Sequence, residues 1–193
     1  MSDYYWHFCP VDADGVPRLG NGDGREVRVG ETLTVDGVIA PCAHGLHASE
    51  HVIDALRYAP SISALCRVTL GGTIMHDDDK SVATERTVVT MLDAATTERL
   101  LREFARWCAL SVAHLWNMPD VVRRYLETGD ETIRAATQAA FLDAAWDAAG
   151  AAAWYAAGAA AGDAAGAAAG YAQNEQLERM ALEAMQVQEN SNE

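Results

Sequence analysis

The sequence predicts an α+β protein: a small, mostly antiparallel sheet with one short helix, followed by a helical half ending in a long Ala/Gly-rich helix. Three observations predict it. Short alternating or β-branched runs broken by Gly, Pro, Asp and Asn are confined to residues 1–92. Apolar residues then recur at three-to-four spacing from Leu100 onward. Residues 143–174 read as eight consecutive four-residue units: DAAW, DAAG, AAAW, YAAG, AAAG, DAAG, AAAG and YAQN. The expected organisation is a sheet-rich domain over 1–92, helices packing on it over 93–128, and a tetrad-repeat helical region over 129–193.

The aromatic run YYWHFC at 4–9 precedes Pro10 and is strand-like by composition. Residues 12–24, rich in Gly, Asp and Asn, form a loop. Residues 25–29 alternate charged and apolar side chains, and 33–35 face 38–40 across Asp36-Gly37, a favoured hairpin turn. Leu46 to Ala48 is a further extended piece. Ser49 then caps a helix over 50–58, with Val52, Ala55, Leu56 and Ala59 on one face, and Pro60 ends it. A strand over 64–70 (ALCRVTL), a turn at Gly71-Gly72, an acidic loop over 76–79 and a strand over 82–92 complete the sheet.

Asp93 or Thr96 caps a helix over 97–116, whose Leu100, Leu101, Phe104, Trp107, Cys108 and Leu115 share a face. Pro119 suits the first turn of a helix over 120–127, and Gly129 stops it. Thr128 or Asp130 caps the long run that carries the tetrads to about residue 188. Leu177, Met180, Ala181, Ala184 and Met185 give its end an amphipathic stripe.

Eighteen alanines and five glycines leave the tetrad helix with almost no side-chain bulk. A period of four exceeds 3.6, so Gly158, Gly162, Gly166 and Gly170 hold one seam only in a right-handed wrap. Each interior glycine costs roughly 1 kcal/mol relative to alanine, a cost that close helix contact offsets. The expectation is helix pairing within the chain or in a homo-oligomer; the alternative is an alanine-rich tract expanded by duplication. A membrane span over 148–170 is disfavoured by Asp163, which costs about 2.5–3.5 kcal/mol near a bilayer centre.

The formal charge is −14 and unevenly placed, with eleven acids against Arg134 and Arg179 from residue 127 onward. Such a balance repels phosphates, so nucleic acid is not an expected partner unless the protein imitates it. Basic or apolar protein surfaces are. The four cysteines form no CxxC pair, and no basic stretch followed by an apolar run opens the chain, so free thiols and a cytoplasmic location are expected.

Cys42, His44, His47 and His51 fall within ten residues, with His7 and Cys9 nearby on the first strand, but the spacing matches no zinc pattern and no metal is expected. His76-Asp77-Asp78-Asp79-Lys80 has carboxylates for a hard cation, though a solvated turn explains them as well. P-loop and GxSxG signatures are missing, so no cofactor is expected from the motifs alone.

Two resemblances follow from particular residues. Trp6-His7-Phe8, GLHAS at 45–49, Asp54-Ala55-Leu56 with Tyr58-Ala59-Pro60, CRVTLGG at 66–72, Asp79-Lys80 and VATERTVV at 82–89 resemble an uncharacterised bacterial and phage domain. Its members carry an alanine-rich tail ending in AQN, as Ala172-Gln173-Asn174 does here, and are described as immunity proteins, which implies binding and neutralising a partner. The order GLHAS, short helix with Tyr58, LCRVTLGG and TERTVV is also similar to the NAD-binding half of ADP-ribosyltransferases. That likeness implies NAD as cofactor, Glu85 and His47 in catalysis, and His7 and Tyr58 in cofactor binding. Phe8 stands where that family has glycine, and His47 where it has a stacking tyrosine.

Overall fold

The computed structural model describes residues 4–20, 24–111, 113–115, 117–147 and 162–191. Its sheet is organised by two long strands, β4 (Ser63–His76) and β5 (Ser81–Met91), which pair antiparallel along most of their length. β1 (Tyr5–Pro10) lies antiparallel on β4, with His7 opposite Cys66. β2 (Thr32–Thr34) and β3 (Leu46–Ala48) both lie antiparallel on β5, giving five strands in the order β1-β4-β5-β2 with β3 beside β5. Beyond β3, Ser49 and Trp6 exchange two backbone hydrogen bonds, of 2.9 and 2.8 Å, that close β1, β4, β5 and β3 into a small barrel-like ring.

One face of this curved sheet gathers Tyr5, Cys9, Val27, Leu33, Leu46, Ala48, Ala64, Cys66, Val68 and Val88 into the inner core. Trp6 and Phe8 alternate to the other side of β1 and are buried as well. Gly45, the first residue of GLHAS, has φ 127°, and a Cβ there would stand 2.3 Å from Val82 Cγ2, so only glycine fits where β3 enters against β5.

Several local expectations give way to long-range pairing. Gly71-Gly72 is no turn: β4 runs through it to His76, with an irregularity in register between Gly71 and Ile74. Gly72, at φ 67°, supplies the conformation of a bulge, where a Cβ would fall 2.1 Å from Thr84 Oγ1. The chain reverses instead at the acidic loop, closed by Asp77 N–H to the Lys80 carbonyl at 2.8 Å. The hairpin across Asp36-Gly37 is absent too, because Leu33 takes Arg86 of β5 as its partner and Val35 N–H bonds the Thr84 carbonyl. Residues 25–29 make only an isolated bridge, Arg18 with Glu26, although Val27 is buried.

The short helix α1 (Val52–Leu56) is smaller than the expected 50–58 and leaves Tyr58 outside. Ser49 does not cap it, since its backbone is committed to Trp6. The Ile53 amide is instead bonded by the Asn174 side-chain oxygen at 3.2 Å, across 121 residues of sequence. α2 (Ala94–Ser111) starts three residues before the expected position and ends five before it. Asp93, rather than Thr96, is its cap, accepting the Thr96 N–H at 2.7 Å.

The chain divides into two compact units, Met1–Leu100 with Asn174–Glu193, and Leu101–Gln173. In the second, α3 (Asp120–Thr128) follows Pro119, which stands just outside the helix rather than in its first turn. Gly129 terminates α3 in the left-handed conformation, and Asp130, not Thr128, caps the next turn by accepting the Thr132 N–H at 2.9 Å. After that turn at Glu131–Ile133 comes α4 (Arg134–Asp147), tied to α3 by the Thr137 hydroxyl, which donates to Val121 and Ile133 carbonyls. Phe104 and Trp107 of α2 stack with their centroids 6.2 Å apart.

The expected uninterrupted tetrad helix is described as α4 and α5 (Gly162–Ser191); residues 148–161, Gly158 among them, lie outside the described residues. Gly162 and Gly166 are in α5. At Gly170 a Cβ would meet nothing within 4 Å among the described residues. The contact that anchors α5 comes one turn later. Leu177, Ala181 and Met185 are buried in the first unit, and Gln188 donates to the Met91 carbonyl at 2.8 Å. Among the described residues no helix is long and apolar enough to cross a membrane.

Candidate functional site

Where α1 faces the β4–β5 turn, the chain forms a cleft of about 350 Å³. Glu50, His51 and Asp54 line one side, and His76, Asp77, Asp78, Asp79, Lys80 and Ser81 the other. Five of those nine side chains are carboxylates. Asp79 is largely neutralised: its Oδ2 accepts the Tyr58 hydroxyl at 2.7 Å and lies 3.5 Å from Arg57 Nη1. Lys80 donates to the same hydroxyl at 2.9 Å and sits 4.3 Å from the Tyr58 ring centroid. The Tyr58 hydroxyl, and after it the Cys42 thiol, holds the Lys80 ammonium above its ordinary range, so it stays charged.

Arg57 also approaches Asp54, at 3.9 Å. Glu50, Asp77 and Asp78 have no cation partner among the described residues. Both imidazoles of the cleft are held by neutral partners: His51 Nδ1 by the Asn174 amide at 3.3 Å, His76 Nδ1 by the Ser81 hydroxyl at 2.8 Å. The cleft therefore presents uncompensated negative charge on a frame fixed by α1, α5 and the β4–β5 turn.

A second constellation lies inside the ring. Alternation along β5 puts Glu85 and Arg86 on opposite faces: Glu85 is exposed, whereas Arg86 is only 2% exposed. Arg86 Nη1 donates to the His47 carbonyl at 2.7 Å, while its Nε and Nη2 are buried without a hydrogen-bond partner among the described residues. His7 shares the inner face with Tyr5 and Cys9. Burial above all, then the charge of Arg86 and the neighbouring His47, holds its imidazole well below the usual histidine range. His47 is shifted the same way, chiefly by burial, against an opposing hydrogen bond to the Gly45 backbone. Its Nε2 accepts the Cys42 N–H at 3.1 Å, which fixes the neutral tautomer.

Of the residues singled out by sequence, His7 and His47 are thus brought together beside Arg86. Glu85 faces away, opposite Thr34 and Gly71, and Tyr58 belongs to the acidic cleft. The Cys/His group at 42–51 is dispersed into separate hydrogen bonds, with His44 Nε2 2.8 Å from the Asp36 carbonyl. Among the described residues no set of three or more His, Cys, Asp or Glu is placed to hold a metal ion. Sequence reasoning missed Arg86 as the buried member of its pair: TERT names two charged neighbours on a strand, one of which must face inward, without saying which.

A family model described as a domain of unknown function, DUF7666, matches residues 21–100. That stretch is similar to the family over β2 to β5 and α1, and it contains every residue lining the acidic cleft. His7 and Cys9 on β1 lie outside it. No curated protein and no solved structure matches the chain.

Proposed function

We propose that the chain is an acidic protein-binding module that neutralises a basic partner protein in bacterial or phage conflict. One observation carries the reading: among the described residues Glu50, Asp77 and Asp78 have no cation partner, around a cleft whose framework is hydrogen-bonded. Clustered negative charge on a preformed surface speeds encounter with a cationic surface and selects against acidic ones. The immunity role comes from the resemblance of GLHAS and its neighbouring blocks, and from nothing in the cleft itself. The expected partner is a protein, neither nucleic acid nor membrane, and a second copy of the chain remains the other occupant for the tetrad helix.

The test uses an arginine-rich basic peptide titrated into the full chain by calorimetry. Replacing Glu50, Asp77 and Asp78 by Gln, Asn and Asn lowers affinity at least about tenfold, or about 1.4 kcal/mol, and flattens its salt dependence. An unchanged affinity overturns the reading.

The meeting of His7 and His47 beside Arg86 favours, as a second reading, an ADP-ribosyltransferase-like enzyme or a binder of NAD derivatives. The outward position of Glu85 weighs against it. Thermal stabilisation by NAD or ADP-ribose, lost on Glu85→Ala or His47→Ala, would put this reading first; a flat response removes it.

A further inference from the structure

The two walls of the acidic cleft differ in strength. Asp77 to Ser81 sit on the turn that joins β4 and β5, strands paired along most of their length. Glu50, His51 and Asp54 depend on α1, a helix of only five residues with no side-chain cap of its own. A helix this short is marginal without tertiary support, because its first amides have no partner within it. Arg57 and Tyr58 tie the chain just after α1 to Asp79. The first turn, next to Glu50 and His51, is held from elsewhere.

It is held by Asn174, the residue at which the chain re-enters this unit after the tetrads. Asn174 is buried and uses both ends of its amide. Oδ1 accepts the Ile53 N–H at 3.2 Å, which fixes the orientation of the amide, since only an acceptor can face a backbone N–H. Nδ2 is thereby turned on His51, whose Nδ1, 3.3 Å away, must accept, leaving the ring proton on Nε2. One asparagine thus steadies the first turn of α1 and orients an imidazole that lines the cleft. Aspartate could do only the first of these tasks, and alanine neither. Behind Asn174, the buried Leu177, Ala181 and Met185 and the bond from Gln188 to the Met91 carbonyl keep α5 in place.

We propose that Asn174 is a positioning residue through which docking of α5 sets the α1 wall of the acidic cleft, so that partner binding and α5 docking reinforce each other. The inference rests on reading that cleft as the partner-binding surface, and it adds how the surface is regulated. Such coupling is reciprocal: if docked α5 improves the cleft for a basic surface, the bound surface holds α5 down by the same factor. Whatever draws α5 away weakens the cleft, and a filled cleft resists it.

The experiment compares the full chain with its Asn174→Ala and Asn174→Asp variants by amide hydrogen exchange, by the nitrogen NMR shifts of the imidazoles, and by calorimetry with the arginine-rich peptide. In Asn174→Ala the Ile53 amide exchanges at least about fivefold faster and peptide affinity falls at least about fivefold, although every carboxylate of the cleft is intact. In Asn174→Asp an acceptor for Ile53 is kept and its protection returns, while the His51 ring carries its proton on Nδ1 instead of Nε2. A merely structural asparagine would leave that ring as it was. In the parent, saturating peptide slows exchange of the α5 amides from Leu177 to Gln188.

The proposal is overturned by an Asn174→Ala chain that binds the peptide as tightly as its parent, by Ile53 exchange that this variant leaves unchanged, by a His51 ring unaltered in Asn174→Asp, or by α5 exchange that saturating peptide does not slow. Should Asn174→Ala fail to fold, the last of these decides on the parent alone. Failure of the cleft reading looks different: the parent itself then binds no peptide, or binds it regardless of Glu50, Asp77 and Asp78, and the coupling falls with it.

Discussion

The sheet-bearing unit and the helical unit are held together on different scales. In the first, the decisive contacts join residues far apart in sequence: Trp6 with Ser49, Leu33 with Arg86, Asn174 with Ile53, Gln188 with Met91. In the second, they are mostly local: Gly129 ending α3, Asp130 capping the turn after it, Thr137 bonding Ile133 one helical turn back. Among the described residues, the first unit also buries a charged group, Arg86, whereas the buried polar residue of the second is the uncharged Thr137. Mutations should therefore be costly and widespread in one and cheap and confined in the other.

The largest effect is expected at Leu177, which is fully buried in the first unit although it lies beyond the tetrads. Leu177→Ala should cost about 2–5 kcal/mol, the range for emptying a buried leucine site. Urea denaturation followed by the sheet signal measures it. A loss below about 1 kcal/mol would mean that α5 is not part of the core its residues imply, and the contrast between units would collapse.

An intermediate effect is expected from acid. His7 is neutral in the folded chain because burial, Arg86 and His47 all oppose its protonation, while the unfolded chain protonates it near pH 6.5. Its contribution is present above that unfolded value and is lost as pH falls toward the lower folded one, at up to about 1.4 kcal/mol per pH unit. His47 acts with the same sign. Asp12, held low mainly by the Val16 amide, and Glu26, by Arg28, enter only near pH 4 and below, so they leave the window between about pH 5 and 6.5 to the histidines. Comparing unfolding of the parent and His7→Gln across that window should show the steeper slope in the parent. Equal slopes would remove His7 from the account.

The same contrast explains what could be read beforehand. β1, β3, the Asp93 cap, the Gly129 stop and the Asp130 cap were legible because each is signalled by its own residues. Gly71-Gly72 carried a turn signal just as clear and became a bulge, because Thr73 to His76 found a continuing partner in β5. Asp36-Gly37 lost its hairpin to β5 for the same reason. The carboxylates of the cleft were visible as a run at 77–79, but Glu50 and Asp54 join them only once α1 is placed. The alanine tetrads point to contact through glycine, and of that seam only Gly170 has described surroundings; the anchoring seen among the described residues of α5 falls to Asn174, Leu177, Ala181, Met185 and Gln188, which only the Leu/Met stripe signalled beforehand.

The smallest effect sharpens the comparison from the other side. Gly129 has φ 66° and its N–H bonds the Tyr125 carbonyl at 2.7 Å, the left-handed stop of a helix that glycine enters without strain. A Cβ there would come 2.9 Å from the Arg106 guanidinium, but that group is the far end of a flexible side chain and can swing aside. What Gly129→Ala should lose is chiefly the left-handed preference, about 1 kcal/mol. Thermal unfolding of the variant measures it. Because the cap serves a local turn, the loss should leave the peptide affinity of the acidic cleft unchanged. A cost equal to that of Leu177→Ala, or a change in that affinity, would show that the helical unit is governed by long-range contacts as the sheet is.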